Sequence, residues 1–171
     1  VLPLPKKLRE LARRVMALGS ESLLCVFTIA VIEYFAIPAA YLQWGEQWRE
    51  LNIRFITVHI DNENAKFACN SGYSSNVILQ ALCVIATIIQ FVYCFIGTAI
   101  RVSTAHNQFT DDGSRIIGDD GQLLHGNFDD FMKYNESLDA PYTLVPANPV
   151  VKQLLEWTGN MEDPFLVLQP P

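Results

Sequence analysis

Two long apolar runs narrow the possible folds more than anything else in this chain. LLCVFTIAVIEYFAIPAAYL occupies Leu23 to Leu42 with one ionisable member, Glu33, and VILQALCVIATIIQFVYCFIGTAI occupies Val77 to Ile100 with none. At about 1.5 Å rise per residue these make roughly 30 and 36 Å of helix, against a hydrocarbon core of about 30 Å. A chain of 171 residues offers little other protein to cover two helices that are apolar on nearly every side, so a bilayer is the expected solvent. The flanks agree: Trp44 and Trp48 follow the first run, Tyr34 and Tyr41 lie within it, and Arg101 closes the second, as headgroup-seeking aromatics and a terminal arginine do. Both runs exceed the apolar region of a signal peptide, and the first comes after a charged segment.

The expected fold class is therefore an all-α integral membrane protein, a two-span transmembrane helical hairpin with an N-terminal amphipathic helix and a polar, partly ordered C-terminal tail. Five segments follow: 1–20, 21–43 (first span), 44–76 (polar connection), 77–101 (second span) and 102–171 (acidic tail). In the first segment Leu8, Leu11, Val15 and Leu18 recur at helical spacing, and Lys6, Lys7, Arg9, Arg13 and Arg14 fill a cationic face. Such a helix lies at an interface, against anionic lipid or a partner subunit. Gly19 permits a turn and Ser20 is a candidate N-cap for the first span, whose rigid part Pro38 shortens.

Within the connection, LNIRFITVHI alternates as a strand does, with Ile53, Phe55, Thr57 and His59 on one side, and DNEN at Asp61 to Asn64 is a turn signal. In the tail, DDG at Asp111 to Gly113 and at Asp119 to Gly121 suits turns. NPVVKQLLEWTG has the grammar of a helix near 149–158, with Asn148 as N-cap, Pro149 in the first turn and Gly159 as stop.

The net charge is -6, yet the basic residues gather at the N-terminus, and the tail holds only Arg115, Lys133 and Lys152 against its many carboxylates. The tail is a poor nucleic-acid surface, and nucleic acid is not an expected partner. Two spans put both termini on one side, and the positive-inside rule makes that side the matrix or the cytoplasm. Cys25, Cys83 and Cys94 fall in the apolar runs and only Cys69 in a polar stretch, which gives no disulfide framework.

No phosphate-binding glycine loop, dinucleotide fingerprint, HExxH, CxxC or GxSxG pattern occurs. His59, His106 and His125 are dispersed. The adjacent carboxylates of the DDG pairs lack the alternate-position ligands of a calcium loop, Asp129 and Asp130 suit a solvated turn, and the NES triplet at Asn135 faces the wrong side for glycosylation. The expectation is a chain with no catalytic set, metal or cofactor of its own and with lipid at its interfaces.

The informative polar residues lie inside the apolar runs. Gln80, Cys83, Thr87, Gln90, Cys94 and Thr98 recur at steps of three and four and would line one helix face, so Gln80, Thr87, Gln90 and Thr98 are expected to contact protein. Glu33 is expensive at mid-span depth. It suits a proton relay, an ion path, a protonated carboxyl bonded to Gln90 or Thr87, or a ligand to a pigment magnesium. The function expected is an accessory or structural subunit of a multi-subunit membrane complex. An energy-transducing assembly of the mitochondrial inner membrane, in the respiratory chain or ATP synthase, is favoured, with other integral subunits as partners; the initial Val suits either a processed chain or a piece of a longer one. The alternatives are a channel or transporter subunit with Glu33 in the conduction path, and a pigment-associated photosynthetic subunit.

Overall fold

The computed structural model describes residues 10, 13, 14, 17, 23–103, 124–137 and 146–160, without the side chains of 23–28, 125–127, 134, 155 and 157–160. Among the described residues the elements run in the order α1 (Leu23–Glu50), β1 (Phe55–Ile60), α2 (Glu63–Ser71), α3 (Val77–Tyr93), β2 (Ile96–Arg101), α4 (His125–Glu136) and α5 (Pro149–Asn160). β1 and β2 pair in parallel, Phe55 opposite Ile96 and Ile60 opposite Arg101. Parallel neighbours need a crossover, and α2 and α3 supply it.

This mixed α/β architecture corrects the all-α, two-span expectation. The second apolar run does not stay helical. α3 has 17 residues, about 25 Å of helix, and it ends where Cys94 takes a left-handed φ of 58°. There the Phe95 N–H reaches the Gln90 carbonyl at 3.1 Å and the Cys94 N–H reaches Phe91 at 3.3 Å, a Schellman closure. The rest of the run becomes β2. The same closure ends α1, with Asn52 at φ 57°, Ile53 N–H on the Trp48 carbonyl at 2.8 Å and Asn52 N–H on Arg49 at 3.0 Å.

The apolar face of α1 is consumed within the chain. Ala30, Tyr34, Ile37 and Tyr41 are buried at steps of four, three and four, the spacing of one helix face. They share a core with Leu79, Leu82, Cys83, Ala86 and Ile89 of α3, Ala65 and Ala68 of α2, and Ala99 of β2. Pro38 is accommodated inside α1. Among the described residues no helix is long and apolar enough to cross a membrane, so the integral membrane assignment and the inner-membrane location do not stand.

Two close approaches fix how α1 sits on its neighbours. A Cβ at Gly97 would fall on the Tyr41 hydroxyl, and one at Gly45 would lie 2.9 Å from Tyr93 ring carbons. Both positions are glycine because an aromatic ring occupies the Cβ site. Tyr41, Trp48 and Phe95 then form an edge-to-face cluster, with centroids 4.9 Å apart for Tyr41–Phe95 and 5.3 Å for Trp48–Phe95.

α5 docks back on α1. The Gln43 amide of α1 donates to the Pro146 carbonyl at 3.2 Å and accepts from the Asn148 N–H at 2.7 Å. Asn148 Oδ1 caps α5 through the Val150 N–H at 2.9 Å, and Val151 and Leu154 are buried. The two DDG pairs, His106, Gly19, Ser20, Lys6, Lys7 and Arg9 lie outside the described residues, whereas Arg13 and Arg14 are helical and exposed.

Candidate functional site

In parallel α/β sheets the chemistry gathers where strands end, because the loops there leave the sheet together. β1 ends at Ile60, and the next three residues are Asp61, Asn62 and Glu63. β2 ends beside them, with the Val102 N–H on the Ile60 carbonyl at 2.9 Å. Asn62 is the N-cap of α2, its Oδ1 accepting from the Asn64 and Ala65 N–H groups at 2.9 and 3.1 Å. The positive end of the α2 dipole therefore lies at this edge. Asp61 is half-buried there.

Glu33 of α1 faces this turn. Its carboxyl is pushed up to about 7, first by burial and then by the Asp61 charge, with the Asn62 amide opposing. Its Oε2 is buried and has no hydrogen-bond partner. Two carboxylates thus share one site, one of them with an unpartnered buried oxygen, which is costly unless a proton or a cation is supplied.

Cations frame the edge. Glu63 accepts from Lys66 Nζ at 2.7 Å and from Arg101 Nη1 at 3.3 Å, and both partners hold its carboxyl below the ordinary range. The Arg101 side chain remains 60% exposed, which leaves it available to an incoming anion. No group of three or more His, Cys, Asp or Glu with metal-ligand geometry occurs among the described residues.

The polar residues singled out in the sequence are dispersed among other tasks. Gln80 staples the loop before α3, accepting from the Ser74 N–H at 2.8 Å and donating to the Gly72 carbonyl at 3.4 Å. Thr87 Oγ1 donates to the Cys83 carbonyl within its own helix at 2.9 Å. Gln90 Oε1 accepts from the Gly97 N–H at 2.6 Å, and Thr98 is exposed on the sheet. None bonds Glu33, and the single polar helix face is lost because Cys94 is a cap and Thr98 a strand residue. Among the thiols, Cys69 and Cys83 are pushed up by burial, a condition opposite to that of a nucleophilic thiolate.

In the sequence Asp61 and Asn62 belong to a turn signal, and Lys66 carries no signal of its own. The missed signal is positional: an acidic residue directly after an alternating strand stands at the chemically useful end of that strand. No family model, curated protein or solved structure matches the chain, so its reading rests on this geometry.

Proposed function

We propose that Glu33 and Asp61 hold a divalent cation of the magnesium type and that the site carries out cation-assisted hydrolysis of a phosphodiester, with a nucleic-acid strand as the substrate class. The observation that carries this reading is the pairing of the two carboxylates at the carboxyl edge of the sheet, with Glu33 Oε2 buried and unpartnered. A hard cation relieves that arrangement directly, since oxygen ligands and negative charge are what it requires.

Magnesium is characteristically held by one or two carboxylates, with water and substrate phosphate completing the octahedron. A two-carboxylate site is therefore sufficient for magnesium and meagre for calcium or zinc. A bound cation would neutralise phosphate charge and lower the pKa of a coordinated water. The chain's own residues then have separate tasks: Glu33 and Asp61 anchor, Asn62 orients Glu33, and Arg101 and Lys66 receive the phosphate.

A polymer is favoured over a free nucleotide on two grounds. The sequence has no glycine-rich loop to cradle a polyphosphate, and the Arg101 side chain lies exposed at the edge. The net charge of -6 makes binding depend on the cation, with a weak salt-driven component.

The test is hydrolysis of labelled single-stranded and duplex DNA and RNA with magnesium, with calcium and with chelator. Magnesium-dependent cleavage abolished in Glu33→Gln and Asp61→Asn supports the reading. Cleavage that survives both substitutions, or none on any substrate, rejects it.

A second reading is a structural subunit of an assembly outside any bilayer. It draws on the row Val84, Ile88 and Phe91 along α3, which is exposed, Phe91 at 84%. Channel and pigment roles required the spans and lapse with them.

A further inference from the structure

We propose that the outer edge of β1 is a strand-addition site for an extended segment with apolar side chains at alternate positions. The two edges of the sheet are treated oppositely. Ile96 N–H bonds the Arg54 carbonyl at 2.9 Å, so with the Phe55–Ile96 register the even-numbered residues of both strands point their peptide groups at each other. In β2 the odd-numbered residues face outward, and side chains close them. Gln90 takes the Gly97 N–H, while Asn70 accepts from the Ala99 N–H at 2.7 Å and donates to its carbonyl at 2.8 Å. Asn70 thereby imitates the partner strand that β2 does not need.

In β1 the outward-facing peptide groups belong to Phe55, Thr57 and His59. No side chain or backbone group among the described residues closes them, and all three residues are exposed, Phe55 at 77%. Donors and acceptors repeating every second residue, about 6.6 Å apart, match another extended backbone and neither a helix face nor lipid. A two-stranded parallel sheet with one face open is also short of the cover such sheets require.

Side chains specify the occupant further. On the open face an added strand lies beside Phe55, whose cross-strand neighbour is Ile96, and on the helix-covered face beside Ile56 and Val58. Apolar residues at alternate positions suit these neighbours. A second copy fits less well, because two-fold antiparallel pairing centred on Thr57 would set Phe55 against His59.

The experiment uses the whole chain and a fluorescein-labelled peptide, KVTVEVTVK, with a control peptide N-methylated at alternate residues. Saturable binding of the first peptide is expected, with amide exchange at Phe55, Thr57 and His59 slowed about tenfold or more and no change at Ile56, Val58 and Ile60. The N-methylated peptide should not bind. Thr57→Pro removes an outward N–H and no bond to β2, and should weaken binding about tenfold. Absence of binding, equal binding of the methylated peptide, or exchange protection at those amides that follows dimerisation without peptide would each overturn the proposal.

Discussion

Replacing Glu33 by Gln should stabilise the protein at neutral and alkaline pH while destroying the site, and the size of the gain follows from the carboxyl's surroundings. Its pKa is raised from 4.5 to about 7 by burial and by Asp61. A raised acid holds its proton longer in the folded state than in the unfolded one, so folded protein binds more protons between those two values. Its contribution is therefore fully present below the unfolded pKa and is lost as pH climbs toward 7. At about 1.4 kcal/mol per pH unit the ceiling is about 3 kcal/mol, and for a half-buried group solvent screening halves this to about 1.5 kcal/mol. Urea denaturation at about pH 5 and about pH 8 should show this decline in the native chain and a flatter profile in Glu33→Gln. Millimolar magnesium should restore stability to the native chain at the higher pH, since a ligand bound only by folded protein stabilises it. The variant should not respond. An unchanged pH slope in Glu33→Gln would refute the shared-site argument, and a magnesium response in both proteins would place the cation elsewhere.

The remaining predictions concern packing. Gly97→Ala places a methyl on the Tyr41 hydroxyl and should cost about 2–3 kcal/mol by overpacking, read from denaturant midpoints. Tyr41→Phe removes a buried hydroxyl that lacks a hydrogen-bond partner; it should be neutral or stabilising by up to about 1 kcal/mol, and a clear destabilisation would refute this. Asn70→Ala strips both bonds from Ala99 and should cost about 1–3 kcal/mol, with faster amide exchange confined to β2.

Some of this architecture was legible because it is local. The alternation of Phe55, Thr57 and His59 marks one face of a strand, and those three residues form the exposed side of β1. Asn148 and Pro149 announce a helix, and one runs from Pro149 to Asn160. The break at Cys94 was hidden, because the left-handed position that ends α3 is usually glycine or asparagine and the surrounding residues are as apolar as the helix before them. Apolarity alone does not separate a buried helix from a buried strand.

The candidate site was half visible. Glu33 announced itself as a carboxyl among apolar residues, but its partner did not, because Asp61 lies on a different element and reads locally as part of a turn. Sequence by itself determined which segments must leave water, where strand alternation runs, and that Glu33 would be perturbed by burial. Only the tertiary structure decided what takes the place of water. Leu23–Glu50 and Val77–Tyr93 bury their apolar faces on each other and on Ala65, Ala68 and Ala99, and the same packing sets Glu33 against Asp61. The physical reason is that the hydrophobic effect is non-directional: it requires apolar surface to be covered and leaves the identity of the cover, lipid or the chain itself, to shape.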